Sequence, residues 1–360
     1  MGWHHFYTLN LDQEAYYFGE ELFDYICTPT ARDLIWFLAM PSWRGTPNIL
    51  REARAAVTID SSRKSSLGTL QLPAELLLMI FDQLDDLADL THLAICHSTL
   101  LRVGRRHVYN MMCAAAAMWA GDRLICLGLD DPRMSGKEAN DDLPQGMLSP
   151  EERRDWLSTQ QKFNRSPDEN VEDATDEISL RNFAITAFDN MGCDRFRPPR
   201  FLNKLDGLDE RIARSLLKPL YPKTGWVLCN YSKGLFVRAD AIAKLTGWEE
   251  VGPKPPGRIG LCEALISQIA WSANRDEWVG LGDADKVMRG PWAGDRFAIR
   301  NTYHGFRLDA QGWMDVTEEV LEHLTGMWKA HYGEKWKEEL WKKQAPPPPE
   351  PILRFGKGYF

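Results

Sequence analysis

The chain has 360 residues, 44% of them apolar and 26% charged, the makeup of a soluble globular protein with room for two or three domains. Its formal charge of −8 argues against a basic face for nucleic acid. No apolar run reaches the length of a bilayer span, since Met111 to Ala120 is short and alanine-rich.

Residues 6–17 alternate apolar and polar around Asp12-Gln13 and predict a strand–turn–strand. Residues 32–39 form an apolar run compatible with a helix or a buried strand, and 58–69, rich in serine and basic residues, read as a linker. A helical block covers 72–112. From Asp130 to about Glu177 the chain is polar and acidic, with one short helix expected at Ser149-Pro150-Glu151, where serine caps and proline takes the first helical position. Residues 226–238 predict a second hairpin around Ser232-Lys233-Gly234, and 259–272 hold another apolar segment. A last helix is expected over about 316–343, with Asp315 and Glu318 spaced for a capping box and Val320, Leu321, Leu324, Met327, Trp328 and Tyr332 on one face. Gly333 can bend or divide it. Pro346 to Pro349 cannot continue a helix, and that stretch is a spacer or a ligand for an aromatic groove.

Seven cysteines stand singly, with no Cys-x-x-Cys pair, and the N-terminus lacks a basic segment followed by an apolar one. An intracellular protein, cytoplasmic or nuclear, with reduced thiols is therefore expected.

The block from Leu70 to Met112 carries the functional reading. Pro73 stands where a helix begins, Leu76, Leu77, Ile80, Phe81 and Leu84 recur at helical spacing, and Asp85-Asp86 breaks the pattern. A second helix with Leu87, Leu90, Leu93 and Ile95 follows, then a third from Ser98 with Leu100, Leu101, Val103 and Val108. Three helices of this size have too little interior to hide so much apolar surface, so the rest of the chain or a partner must cover part of it.

The run Leu72-Pro73-x-Glu75-Leu76-Leu77-x-x-Ile80-Phe81-x-x-Leu84, followed by Asp89-Leu90-x-x-Leu93 and Val103-Gly104-Arg105-Arg106-His107, resembles the F-box in its fungal style. The chain also resembles the long F-box proteins of mushroom-forming fungi. The resemblance implies docking on a Skp-type adaptor, through it on a cullin scaffold, and recruitment of a substrate protein for ubiquitination. Carried over by position, it implies adaptor contacts at Leu72, Pro73, Leu76, Ile80, Leu84, Leu90 and Leu93. This chain departs from the family in having Thr99-Leu100 where an aromatic residue often follows the second helix.

Trp119-Ala120-Gly121-Asp122-Arg123 returns as Trp292-Ala293-Gly294-Asp295-Arg296. The two predicted hairpins also align, Phe6 to Asn10 with Trp226 to Asn230, at an offset of 220 (226 − 6) against 173 (292 − 119) for the turns. The difference suggests two related modules, the first interrupted by the F-box. Tryptophan anchors such a turn, glycine allows its backbone and aspartate bonds nearby amides. A paired ligand-binding loop at Asp122 and Asp295 is the functional alternative.

No phosphate-binding loop, nucleophile elbow or zinc-protease motif occurs. Gly280-Leu281-Gly282 lacks the third glycine of a dinucleotide fingerprint, and Asp283 and Asp285 read as an exposed acidic loop. No cofactor, metal or catalytic residue is expected. Trp336 and Trp341, among lysines, present either a partner surface or a partly buried face.

The expected fold is α+β. Its order is half of module 1 with a linker (1–68), the F-box (69–112), the closing strand of module 1 (113–130) and an acidic connector (131–222). Module 2 (223–310), a C-terminal amphipathic helix (311–344) and a proline-rich tail (345–360) follow. The expected function is a non-catalytic substrate receptor of a cullin ubiquitin ligase. The alternatives are a Skp-bound protein outside degradation and a small-molecule or enzymatic site at the repeated turns.

Overall fold

The computed structural model describes residues 5–18, 22–27, 34–42, 70–129, 144, 146–155, 221–253, 258–271, 289–303, 306, 308 and 312–343. The expected linker at 58–69, most of the acidic connector, Gly280 to Asp285 and the proline-rich tail lie outside the described residues.

The fold is α+β, with a mostly antiparallel sheet. Its strands are β1 (His5–Asn10), β2 (Ala15–Phe18), β3 (Asp122–Leu129), β4 (Trp226–Asn230), β5 (Leu235–Arg238), β6 (Ala270–Trp271), β7 (Arg296–Asn301) and β8 (Met314–Asp315). The order across the sheet is β2-β1-β3-β7-β4-β5-β8, with β6 beside β3. Both predicted hairpins are present. Alternation places Phe6, Leu124, Cys126, Trp226, Leu228, Phe297 and Ile299 on one face, in the main core.

The helices covering that face are α1 (Leu22–Cys27), α2 (Leu34–Leu38), α6 (Ala239–Leu245), α7 (Leu261–Ile269), α8 (Thr317–Tyr332) and α9 (Trp336–Lys343). Every residue of α7 is buried, as befits a helix surrounded by other elements. The opposite face carries two smaller apolar clusters. Leu9, Ile125 and Leu127 lie under Met147, while Val227, Cys229 and Phe236 pack with Phe306.

Six strands, β2-β1-β3 and β7-β4-β5, are arranged symmetrically about the β3–β7 centre, and β8 extends the β5 edge alone. In each half an antiparallel hairpin pairs, through its first strand, with a later strand, and the registers coincide. Asn10 faces Leu124 and Thr8 faces Cys126, while Asn230 faces Phe297 and Leu228 faces Ile299. Position by position these pairs keep the offsets of 220 and 173 found in the sequence. The resemblance extends to the helical layer. Ala39, just after α2, bridges in parallel to Ile299, as Ala270, just after α7, pairs in parallel with Cys126.

The C-terminal helix is divided at Gly333–Lys335, one of the two outcomes expected of Gly333. Two expectations need correction. Asp315 does not form a capping box with Glu318; its carboxylate accepts bonds from the backbone N–H and the hydroxyl of Thr317. The helix assigned to end the F-box block at 112 runs on to Ala116. Trp336 is 4% exposed and stacks on Trp328 at 5.3 Å, and Trp341 stacks flat on Trp248 at 4.2 Å. These two aromatics therefore fasten α9 to the body.

Candidate docking surface

Three helices follow one another in the predicted block: α3 (Ala74–Asp82), α4 (Leu87–Ile95) and α5 (Ser98–Ala116). Pro73 precedes the first turn of α3, a place where a missing N–H is harmless. Asp86 ends the break between helices by capping α4, accepting the N–H groups of Ala88 and Asp89 at 2.7 and 3.0 Å. His97 caps α5, its Nδ1 accepting the Thr99 N–H at 3.1 Å.

These helices form a core of their own from Leu77, Phe81, Leu90, Ala94, Leu100, Leu101 and Val108. The close crossing of α3 on α5 depends on Gly104, where an added Cβ would lie 2.3 Å from the Phe81 ring. His107 stacks on that ring at 6.0 Å and its Nε2 lies 2.6 Å from Asp82 Oδ1. The C-terminal half of α5 belongs to the body. There Met112, Cys113 and Ala116 are buried, and the Tyr109 hydroxyl donates to the Pro41 carbonyl at 3.0 Å.

With that core filled, α3 and the segment leading into it still present large apolar side chains to solvent. Leu72, Leu76 and Leu78 are about two-fifths exposed and Met79 is 61% exposed. Of the residues implied as adaptor contacts, Leu72, Pro73 and Leu76 are exposed, and Ile80, Leu84 and Leu93 are half-buried against the internal core. Leu90 is a correction: at 1% exposure it is an internal core residue and cannot be a contact residue. Leu78 and Met79, which the resemblance does not mark, are also exposed. Every position from Leu76 to Phe81 is apolar, so periodicity alone cannot tell the inner from the outer face.

The repeated turns are accounted for by their own hydrogen bonds. Gly121 and Gly294 have φ of 98° and 84°, a backbone region that favours glycine. Trp119 and Trp292 are buried, Trp119 stacking on Phe37 at 4.9 Å. The Asp122 carboxylate accepts from the Asn10 and Gln13 side chains at 2.8 and 2.6 Å. The Asp295 carboxylate accepts from Asn230 at 2.7 Å and pairs with Lys233 at 2.9 Å. Each asparagine in turn accepts an N–H from its own hairpin turn.

The arginines of the turns face each other across the sheet centre, where Arg123 is paired with Arg296 in the β3–β7 register. Asp12 bridges them, at 2.7 Å from Arg123 and 2.8 Å from Arg296, and Glu152 closes on Arg123 at 2.6 Å. Hydrogen bonds from the Arg123 side chain and the Ser149 backbone hold the Glu152 carboxyl at about 2. Burial alone would raise Asp12, but its bonds to Arg123 and the charges of Arg123 and Arg296 outweigh this and hold it below the usual range. With their oxygens so engaged, these carboxylates hold turns together and offer no ready acid–base pair.

Among the described residues, no group of three or more His, Cys, Asp or Glu side chains has the arrangement to hold a metal. Burial pushes the thiols of Cys126 and Cys229 up to about 12, far from a reactive thiolate. No described helix is long and apolar enough to cross a membrane. No family model, no curated protein and no solved structure matches the chain.

Proposed function

We propose that the chain is an F-box-type substrate receptor, whose α3 surface docks on a Skp-type adaptor and whose body holds a protein to be ubiquitinated. The observation carrying this reading is that Leu72, Leu76, Leu78 and Met79 are left in solvent on a helical unit that has already filled its own core. Burying such a side chain is favourable by about 1.5–3 kcal/mol, and a few central anchors of this kind can carry an interface. On this reading catalysis is proximity supplied to an enzyme in trans.

The same reading treats the F-box as an insertion in the first of two related modules. The matched registers support it. The chain is also much longer from Ala39 to Trp119 than from the corresponding Ala270 to Trp292, and α3, α4 and α5 occupy that excess.

Co-purification with a Skp-type adaptor tests the proposal. The unmodified chain should retain the adaptor and, with it, a cullin. Leu76→Asp and Met79→Asp should each lower adaptor retention at least tenfold with the melting temperature unchanged, because neither side chain belongs to the internal core. Undiminished retention by both variants would refute the docking surface. Retention of the adaptor without cullin, or without any ubiquitin transfer to a bound protein, would instead place the chain in a Skp assembly outside degradation.

A further inference from the structure

Arg300 lies on the outer face of β7, at the seam between the sheet and the helical unit. The sheet's other described arginines have acidic partners: Arg123 and Arg296 share Asp12, and Arg238 pairs with Asp315. Arg300 has none within ion-pair distance among the described residues. Its Nη1 instead contacts the Met40 thioether at 2.8 Å, and its guanidinium lies 4.8 Å from the centre of the Phe306 ring. Tyr231 stands close enough for Arg300 to act on its hydroxyl. Trp313 completes the aromatic wall, edge-on to Tyr231 at 5.3 Å and to Phe306 at 5.7 Å.

The fold does not require a charge at this position. By register its counterpart in the other half is Leu127, which is 6% exposed and packs with Met147 and Trp271. A half-buried guanidinium without a carboxylate gives up hydration without full recompense. Within this cluster Tyr231 is 37% exposed. Tyrosine, tryptophan, methionine and arginine are the residues that interface centres favour.

We propose that Arg300 and the Tyr231–Phe306–Trp313 wall bind an acidic side chain of the recruited protein, presented in a peptide segment. The guanidinium, with no acidic partner among the described residues, selects the anion, a carboxylate or a phosphate, and the wall takes the apolar neighbours. This rests on the receptor reading for its biological purpose, but its test does not depend on the adaptor.

The test uses the full chain and fluorescent nonapeptide pools, degenerate except for a central Glu, phosphoserine or Gln. The acidic pools should bind at least about tenfold more tightly than the Gln pool, the difference expected for one charge-assisted contact. Arg300→Gln should erase that preference. Phosphoserine well above Glu identifies a phosphorylated partner; equality identifies a carboxylate. On the unaltered protein, phenyl phosphate should displace the acidic pools and phenol should not, a comparison that needs no variant. Equal binding of all pools, or preference surviving Arg300→Gln, would overturn the inference. Adaptor retention should be the same with and without Arg300→Gln. Acid-selective binding in a chain that retains no adaptor would sink the docking proposal alone.

Discussion

Asn10 and Asn230 are completely buried, and each spends its amide on two tasks, one donated bond to a turn aspartate and one accepted N–H from its hairpin. Alanine at Asn230 would leave Asp295 short of one donor and the Lys233 N–H without its acceptor. An unsatisfied buried group costs about 1–3 kcal/mol. Asn230→Ala should therefore lower stability by about 2–4 kcal/mol in a denaturant titration, and Asn230→Asp should also destabilise by bringing a second carboxylate to Asp295. Acid acts on the same layer. The folded carboxyl of Glu152 sits at about 2, below its unfolded value of about 4.3, so its contribution is complete above that value and is lost as pH falls towards 2. Glu152→Gln should lower stability by a pH-independent amount above pH 6 and flatten its fall between pH about 4.5 and 2. An acid limb of unchanged steepness in the variant would count against the Arg123–Glu152 pair.

Within the helical unit, side chains a few residues apart have opposite duties. Leu90→Ala should destabilise the unit by about 2–5 kcal/mol, as large-to-small changes in a packed core do, whereas Met79→Asp should leave its melt untouched. Gly104→Val should be as disruptive as Leu90→Ala, since the new side chain meets the Phe81 ring that α3 lays across α5. Far-ultraviolet melts of the three variants distinguish these outcomes. The existence of all three helices was legible in the sequence because Pro73, Asp86 and the Ser98 region punctuate a strongly apolar stretch. Which apolar residues face outward was not legible, because α3 is apolar on nearly every side and the crossing at Gly104 decides its rotation. The hairpins were easier. Alternation and a polar turn specify both strands locally, and the tryptophan-led repeat marked the strands that close them. The bridge from Asp12 to both arginines joins residues far apart in the chain, and no local pattern announces it.

Across the whole sheet, the two halves are joined at a narrow centre where Asp122 and Arg123 pair with Phe297 and Arg296. Additional bonds cross there. The Gly121 N–H donates to Phe297, Leu124 donates to Asp295 and Gly294 donates to Leu124. Each half thus supplies partners that the other half's turn requires, and the halves should open together. Arg123→Ala removes the cation between Asp12 and Glu152, and should speed hydrogen exchange in β1 and β4 alike. Faster exchange confined to β1 would show that the halves are energetically separate.

The long helix α5 has a mechanical consequence. Its 19 residues span roughly 28 Å at 1.5 Å each, and two residues past its cap the chain is clamped by Trp119, whose N–H donates to Phe37. A body gripping α3 at one end of this strut would hold the sheet at a fixed bearing, like a boom set in a socket. Lengthening α5 by one residue would swing everything carried on α3 and α4 by about 100° around the strut, altering aim without altering grip.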